Sequence, residues 1–386
     1  MPPATTYTML LMHIVGARPN FMKAAPVRAA LEGCPTFTQL IVHTGQHYDD
    51  NMSQVFFRDL GLPRPDVNLE VGSGSHSVQT AEIMLRIERV LLEHKPGVVL
   101  VYGDVNSTIA AALVAVKLGI TVAHVEAGLR SFDRSMPEEI NRIVTDRIAD
   151  MLFTPSQDGD ENLLLEGVSP DKIYRVGNVM IDTLLRLQGR AEERWPFLPR
   201  TLRLPDAVPR KQNYVLVTLH RPSNVDESAY LARLVETLTD ISRHLPVIFP
   251  VHPRTRERLR AAGISVGGEQ LYLVDPAGYL DFQALQKHAA VVITDSGGIQ
   301  EETTFLGVPC LTMRSNTERP VTTSLGTNRL IGSDLDSLKL HVRRILEGER
   351  PAGKRPPLWD GHAGERIAAV LAAHFASRDV DTATKT

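Results

Sequence analysis

Cysteine is scarce in this sequence: Cys34 and Cys310 are the only two among 386 residues. Two cysteines cannot build a disulfide framework, and they leave no cysteine cluster that could hold zinc. Thirteen histidines are present, but none stands in an HExxH arrangement or a similar metal-binding pair. The sequence therefore predicts neither a disulfide scaffold nor a metal site, and we expect the protein to need no cofactor.

Long apolar runs and an excess of charge of one sign are also missing. The longest apolar runs, such as "GVVLVY" and "AALVAV", are far shorter than the roughly 20 residues of a membrane-spanning helix. The start of the chain lacks the basic segment of a secretory signal. A formal charge of -3 gives no general attraction to nucleic acid or to an anionic membrane. We expect a cytoplasmic protein that neither binds nucleic acid nor inserts into membranes.

The glycine-rich loops that usually bind dinucleotides and nucleoside triphosphates are absent. The first apolar run ends in one glycine where GxGxxG is required, and "GSGSH" at 72–76 lacks the third glycine. No GxxxxGK[ST] motif occurs either. These absences exclude a nicotinamide-binding Rossmann site and a Walker loop. A bound diphosphate would have to be held in another way.

Short β-branched runs alternate with helical patterns along the chain. This alternation predicts βαβ units and parallel sheets, which is an α/β fold. The apolar period disappears over residues 187–213, where Pro and Arg concentrate. Because 386 residues exceed one core, we predict two Rossmann-like halves joined there. The predicted strands are residues 8–15, 38–43, 98–102, 121–125, 151–154, 173–176, 214–219, 246–251, 270–274, 290–294 and 308–313.

Polar residues follow most of these apolar runs. The carboxyl ends of parallel strands border the crevice where such sheets bind ligands, so these side chains would face one opening. A lone Asp after a strand is more simply a helix cap, but this set includes His and Arg, which we do not expect to cap helix N-termini. We interpret Asp275 as structural. The set consists of Gly16, Arg18, His43, Gln46, Asp104, Glu126, His220, His252, Asp275 and Asp295.

The segment "TDSGGIQEETTFLGVP" has the pattern of an anion site. It places Ser296 at the N-cap of a helix and puts Gly297 and Gly298 in the first turn, where each glycine costs about 1 kcal/mol relative to Ala. Free N–H groups and the helix dipole favour a phosphate there. Close packing of helix on sheet is the alternative explanation. Gly307 is predicted to end this short helix.

Cations form a second candidate phosphate site. In "VGARPNFMK", Arg18 and Lys23 stand at a predicted helix start, where two positive charges oppose the helix dipole unless an anion lies between them. Arg319 in "NTERP" is a third candidate, although a lone arginine is more often solvated. A diphosphate held without the usual loops suggests a nucleotide sugar.

The stretch "HVEAGLRSFDRSMPEEINR", residues 124–142, places acids beside arginines. Glu126 follows an apolar run and is a candidate catalytic acid or base. Glu138 has a strong structural alternative, because Ser135 and Glu138 match a capping box and Glu138 and Arg142 match a helical i, i+4 pair. The residues alone leave both interpretations of Glu138 open.

Nine motifs occur along the chain in this order: "GARPNFMK", "TGQHYD", "YGDVNST", "HVEAGLRS", "MPEEINR", "LHRPSN", "PVHPRT", "TDSGGIQEE" and "NTERP". Together they resemble one family, the non-hydrolysing bacterial UDP-N-acetylglucosamine 2-epimerases. The resemblance implies a GT-B fold, with two facing Rossmann-like domains, parallel sheets and an interdomain cleft. It also implies a homodimer, a UDP-sugar substrate and a role in cell-surface polysaccharide synthesis. The implied domains are residues 1–182, completed by a C-terminal helix over 364–386, and residues 183–363.

The resemblance assigns roles to individual residues. It implies catalytic roles for Asp104, Glu126, Glu138 and His220, ribose binding by Glu302 and stacking of uracil on Phe282. It implies a second, allosteric UDP-sugar site at Gln46, Arg221 and His252. The further nucleotide contacts that it implies are Arg18, Lys23, Ser296, Gly297, Gly298 and Arg319.

The implied reaction interconverts UDP-N-acetylglucosamine (UDP-GlcNAc) and UDP-N-acetylmannosamine by eliminating UDP, reprotonating C2 on its other face and re-adding UDP. Variants such as "GARPN" in place of "GTRPE" also resemble epimerases of UDP-GlcNAc derivatives modified at C3 and C6. A GT-B glycosyltransferase, a hydrolysing epimerase and a silent UDP-sugar sensor remain alternatives.

Overall fold

The computed structural model describes residues 8–45, 57, 59–264, 268 and 270–383. The chain divides into two compact units. The first comprises Met1–Thr183 and Pro357–Thr386, and the second comprises Leu184–Pro356. Each unit has one sheet, whose strands are paired in parallel. The α/β prediction is therefore confirmed.

The sheet of the first unit has seven strands in the order β3-β2-β1-β4-β5-β6-β7. Its central strand β4 reads VVLVY and is buried at every position, as expected for a strand with both sheet faces covered. The strands are β1 (Met9–Val15), β2 (Phe37–His43), β3 (Val67–Asn68), β4 (Val98–Tyr102), β5 (Thr121–Val125), β6 (Met151–Thr154) and β7 (Ile173–Arg175). The helices are Arg18–Ala30, His76–His94, Asn106–Lys117, Pro137–Ile148, Gln157–Leu165, the 3-10 turn Pro170–Lys172, and Ala363–Ala383.

The sheet of the second unit has six strands in the order β10-β9-β8-β11-β12-β13. They are β8 (Val215–Thr218), β9 (Val247–Pro250), β10 (Leu271–Val274), β11 (Val291–Thr294), β12 (Cys310–Thr312) and β13 (Asn328–Leu330). The helices are the 3-10 turn Trp195–Phe197, Leu198–Thr201, Pro222–Val225, Ser228–Ser242, Pro253–Ala261, Tyr279–His288, Gly297–Leu306, Val321–Ser324 and Leu335–Leu346. In both sheets the strand order changes direction beside the first strand, which is the topology of a Rossmann-like sheet.

The chain passes between the units within helix Val179–Arg194 and again at 356/357. The sequence predicted a break in periodic structure over residues 187–213. This prediction is wrong for residues 187–194, which are helical. Leu184, Leu187 and Ala191 are buried at helical spacing and continue the helix through residue 194. On the return, the Trp359 indole donates to the Pro155 carbonyl at 2.9 Å, which ties this segment to the first unit.

The C-terminal helix Ala363–Ala383 packs in the first unit. The Asp182 carboxylate accepts backbone N–H groups from Ala363 and Gly364, at 3.2 and 2.7 Å, so it caps this helix. Further along, Phe375 packs edge-to-face on Phe37. From sequence alone this helix could have packed on either half. The contacts with Asp182 and Phe37 show that it packs on the first unit.

The two cysteines lie in different surroundings, one in each unit. Cys34 is half-buried and unpaired. Cys310 lies in β12 and is fully buried, and burial raises the pKa of its thiol to about 11.

Within the described residues no helix is long and apolar enough to cross a bilayer.

Candidate active site

Two of the acids singled out in the sequence lie at the carboxyl ends of neighbouring strands in the first unit. Asp104 follows β4 and Glu126 follows β5. Gly103 lies between them in space: a Cβ on Gly103 would come within 3.0 Å of Glu126 Oε2 and 2.6 Å of Lys23 Nζ. Its φ of +61° also requires a residue that tolerates the left-handed region. The glycine thus lets the Glu126 carboxylate approach the turn that carries Asp104.

Lys23 forms a buried ion pair with Glu126. Both side chains are less than one-tenth exposed, so water solvates neither charge well and each charge is neutralised by the other. The sequence predicted that Lys23 needs an anion near the helix start, and the structure supplies one from the protein itself. Arg18, by contrast, is the first residue of helix Arg18–Ala30 and is exposed.

Helix Pro137–Ile148 contacts the Asp104 turn through two side chains. The Arg142 guanidinium forms an ion pair with Asp104, and the Asn141 amide donates to the Asp104 carbonyl at 2.9 Å. Arg142 also pairs with Glu139. Glu139 is buried and accepts from the Ser131 N–H and hydroxyl, both at 3.0 Å, and from the Phe132 N–H at 2.8 Å. This carboxylate fixes the loop before the helix.

The structural explanation for Glu138 is wrong. The helix N-cap is Met136, and the Ser135 hydroxyl donates to Asp133 instead of capping the helix. Arg142 pairs with Glu139 and Asp104, not with Glu138. Among the described residues we find no hydrogen bond or ion pair of Glu138, which is half-buried in the first turn. Glu138 is therefore available for another role.

In the second unit the predicted anion site has its expected backbone. Ser296 is the N-cap of helix Gly297–Leu306, and Gly307 ends it in the left-handed conformation, as predicted. A Cβ on Gly297 would lie 2.5 Å from Arg319 Nη1 and 2.7 Å from Glu318 Oε1. Arg319 is buried and pairs with Glu301 and Glu318. The Arg319 guanidinium therefore lies beside the N-terminus of helix Gly297–Leu306. Position 297 is a glycine because a Cβ there would collide with Arg319.

Glu302 lies in the same helix, in a site of low polarity. Burial, with a smaller contribution from the nearby Glu301, raises its pKa to about 7, although the Tyr279 hydroxyl donates to its Oε1 at 2.9 Å. Phe282 is half-buried on the adjacent helix Tyr279–His288. In the folded protein Glu302 is therefore half-protonated near neutral pH.

We expect the contribution of Glu302 to the free energy of unfolding to fall between pH 4.5 and pH 7. An unfolded glutamate ionises near 4.5, whereas folded Glu302 keeps its proton to about 7, so unfolding releases a proton between these values. The contribution that is lost amounts to about 3 kcal/mol of the free energy of unfolding at most. On going from pH 5 to pH 8, the melting temperature of Glu302→Gln, which cannot ionise at this position, should fall less or rise more than that of the wild type. An identical pH dependence in both proteins would contradict the shifted pKa.

His220 follows β8 in the second unit and is held by Asp295, which follows β11. Asp295 is fully buried and accepts backbone N–H groups from His220 and Arg221, at 3.0 and 2.9 Å, and the Asn224 amide at 2.9 Å. Although burial opposes ionisation, His220, Asn224 and Arg221 together hold the pKa of Asp295 below its ordinary value. The His220 Nδ1 lies 3.0 Å from Asp295 Oδ1, and half of its side chain is exposed.

Two residues of the implied allosteric site, Arg221 and His252, have structural contacts in this unit. The His252 ring caps helix Pro253–Ala261 by accepting the Arg254 N–H at 3.3 Å, so our expectation that histidines in this set do not cap helices is wrong. The Arg221 Nε donates to the Asp295 carbonyl at 3.0 Å. Asp275 pairs with Arg256 on the surface, in line with a structural role. Gln46 lies outside the described residues.

The structure thus brings Asp104, Glu126 and Lys23 together in the first unit and Ser296, Gly297 and Arg319 together in the second. Sequence reasoning missed the buried partners that hold these groups. Glu139 and Arg142 could have been found from their i, i+3 spacing. Asp295 was noted only as a strand end, and nothing in the sequence singles it out as the partner of His220.

Within the described residues no group of three His, Cys, Asp or Glu could hold a metal ion.

Comparison with known proteins covers nearly the whole chain. The model of the family described as UDP-N-acetylglucosamine 2-epimerase matches residues 29–372. The chain is 43% identical over 368 residues to the UDP-N-acetylglucosamine 2-epimerase of Methanocaldococcus jannaschii, covering 94% of this chain and 99% of that protein. It is 41% identical over 367 residues to the UDP-2,3-diacetamido-2,3-dideoxy-D-glucuronate 2-epimerase of Pseudomonas aeruginosa, covering 94% and 99%.

The fold is also similar to a solved structure. The crystal structure of the Methanocaldococcus jannaschii UDP-GlcNAc 2-epimerase in complex with UDP-GlcNAc and UDP matches with a TM-score of 0.85 at 43% identity, covering 95% of this chain and all of that one. Two Rossmann-like units with parallel sheets and this likeness define a GT-B-type enzyme. The chain belongs to the UDP-N-acetylglucosamine 2-epimerase family and is accordingly an isomerase.

Proposed function

We propose that this protein interconverts UDP-GlcNAc and UDP-N-acetylmannosamine. The observation that carries the proposal is the Glu126 carboxylate beside Gly103, next to Asp104, at the ends of two neighbouring strands. A solved relative in complex with UDP-GlcNAc and UDP supports the substrate class. Epimerisation at C2 needs acid or base groups on both faces of the sugar, and Asp104, Glu126 and Glu138 stand on three separate elements.

The reaction that we propose begins with loss of UDP. The C2 proton is not acidic while UDP remains attached, so the C1–O bond breaks first or together with removal of that proton. A carboxylate takes the proton and leaves 2-acetamidoglucal beside UDP; another acid returns a proton to the opposite face of C2, and UDP re-adds to C1. General acid or base catalysis of this kind accelerates a reaction by about 100-fold to 10,000-fold.

Departing UDP carries negative charge that the protein must stabilise. We assign this task to Arg18, Arg319 and the helix start at Ser296, Gly297 and Gly298, because fixed cations and backbone N–H groups act without reorganisation. We assign Glu302 to the ribose, Phe282 to uracil and His220 to the phosphate or the sugar. The assigned residues come from both units of the chain.

The pairing with Glu126 changes the role that we propose for Lys23. It lies among the acids of the first unit, where its ammonium group is paired with the Glu126 carboxylate. We therefore propose that Lys23 acts on Glu126 directly and on the phosphates only through the positive field that it adds.

Proton exchange at C2 tests the proposal directly. Purified protein incubated with UDP-GlcNAc in heavy water should incorporate deuterium at C2 and produce UDP-N-acetylmannosamine, followed by NMR, without an acceptor. A glycosyltransferase or a silent sensor would leave C2 protonated. A hydrolysing epimerase would release N-acetylmannosamine and free UDP in equal amounts. Either of these two results would refute the non-hydrolysing reaction.

A C3- and C6-modified UDP-GlcNAc derivative is the second candidate substrate. The 41% identity to the Pseudomonas aeruginosa UDP-2,3-diacetamido-2,3-dideoxy-D-glucuronate 2-epimerase favours it, because that identity is close to the 43% shared with the Methanocaldococcus jannaschii enzyme. A comparison of kcat/KM for UDP-GlcNAc and the diacetamido uronate distinguishes the two substrates. The homodimer, the cytoplasmic location and the allosteric site remain predictions.

A further inference from the structure

A buried histidine and aspartate lie beneath the acids of the first unit. His124 is in β5 and Asp146 is in helix Pro137–Ile148, and both are at most 1% exposed. Asp146 Oδ1 lies 2.6 Å from His124 Nδ1. Neither residue is among the groups to which the proposed reaction gives a chemical task.

The pair connects all three elements that carry the acids. His124 Nε2 lies 2.8 Å from the Gly103 carbonyl, in the turn that leads to Asp104. Asp146 Oδ2 accepts the Gly128 N–H at 3.1 Å, in the turn that begins at Glu126. Asp146 itself is on the helix whose first turn carries Glu138. Movement of this pair would therefore shift all three acids relative to one another.

The turn at Glu126 needs such support because its backbone is strained. Glu126 has a φ of +73°, which is uncommon for a residue with a side chain. Strain of this kind persists only where the surroundings fix the backbone. The N–H groups of Glu126 and Ala127 both donate to the Phe153 carbonyl at 3.0 Å, and the Gly128 N–H donates to Asp146.

The ring of His124 has an oxygen partner at each nitrogen. A carbonyl oxygen only accepts, so His124 Nε2 carries a hydrogen toward Gly103. Burial opposes ionisation of Asp146, but His124 and Arg130 hold its pKa below its ordinary value. The Asp146 carboxylate lies 2.6 Å from Nδ1, so the ring is held at both of its nitrogens. Arg130 binds the other Asp146 oxygen at 2.7 Å and fixes it in place.

We propose that His124 and Asp146 are positioning residues for the epimerase reaction, with His124 fixing the Gly103–Asp104 turn against the Glu126 turn. This inference rests on the proposed function. The bond to the Gly103 carbonyl determines the distance between the two acids, and misplacement of a catalytic group by about 1 Å can cost about 100-fold in rate.

Two substitutions at position 124 separate positioning from packing. The His124→Asn amide can still donate toward Asp146 but cannot reach the Gly103 carbonyl, whereas the longer His124→Gln amide can donate to that carbonyl. We expect kcat of His124→Asn to fall about 10- to 100-fold with unchanged UDP affinity by calorimetry. We expect His124→Gln to recover most of the activity.

His13→Asn is the matched control, because His13 is also fully buried and has a partner at each ring nitrogen, Tyr102 at 2.6 Å and Gln39 at 2.9 Å. It should lower the melting temperature and leave kcat close to wild type. An equal loss of kcat in His13→Asn and His124→Asn, full activity in His124→Asn, or no recovery in His124→Gln would overturn the proposal. If His124→Asn does not fold, Asp146→Asn should show the same loss of kcat. Failure of the wild-type exchange assay would instead refute the proposed function.

Discussion

Glu126→Gln is expected to lower kcat about 100-fold to 10,000-fold and to leave UDP binding measurable by calorimetry. The amide cannot take a proton from C2 or return one, and this is the contribution of a general acid or base. Initial rates of C2 deuterium exchange provide the measurement. A kcat near wild type would remove Glu126 from the proposed mechanism.

The ion pair with Lys23 makes a control necessary. Glu126→Gln leaves the buried Lys23 ammonium without its counter-charge, which typically costs about 3–5 kcal/mol of stability. Combining it with Lys23→Met removes both charges, and we expect this double variant to regain stability while remaining inactive. Recovery of turnover together with stability would mean that the single variant had failed through folding alone.

Glu138→Gln and Glu139→Gln are expected to have opposite effects, although the two residues are adjacent. We find no described partner of Glu138, so its replacement should leave the melting temperature unchanged and reduce kcat about 100-fold to 10,000-fold. Glu139 is buried against Arg142 and binds three donors before the helix, so its replacement should destabilise the first unit by about 3–5 kcal/mol.

Thermal unfolding and exchange kinetics of both variants provide the test. Glu139→Gln should retain substantial kcat per folded molecule at temperatures below its unfolding transition. A stable Glu139→Gln protein would show that Arg142 is satisfied by Asp104 alone. An unstable Glu138→Gln protein would show that Glu138 has a structural role after all.

The fold was largely predictable because its strands are continuous β-branched runs buried on both faces. The two strands that were missed are short and lie at sheet edges. β3 has two residues, paired only with Val42 and His43 of β2, and β13 has three residues that include Asn328 and Arg329. Such strands are defined by the neighbour with which they hydrogen-bond, and neither length nor composition reveals that neighbour.

The acids of the candidate site were predictable from their positions after strands, but their partners were not. Lys23 and Glu126 are 103 positions apart in sequence, and only the order of strands brings them together. At Glu138 the capping pattern predicted a helix that starts one residue too early. On a helix such a shift rotates every side chain by about 100°, so the structural glutamate is the next one along.

The environments of the two cysteines make the unmodified chain suited to site-specific labelling. The Cys310 thiol is fully buried with a raised pKa, so it supplies little thiolate for a maleimide, while Cys34 is partly exposed. A single fluorophore would therefore attach to the first unit without removal of any native residue. One cysteine introduced on the surface of the second unit would complete a pair for distance measurements with and without UDP.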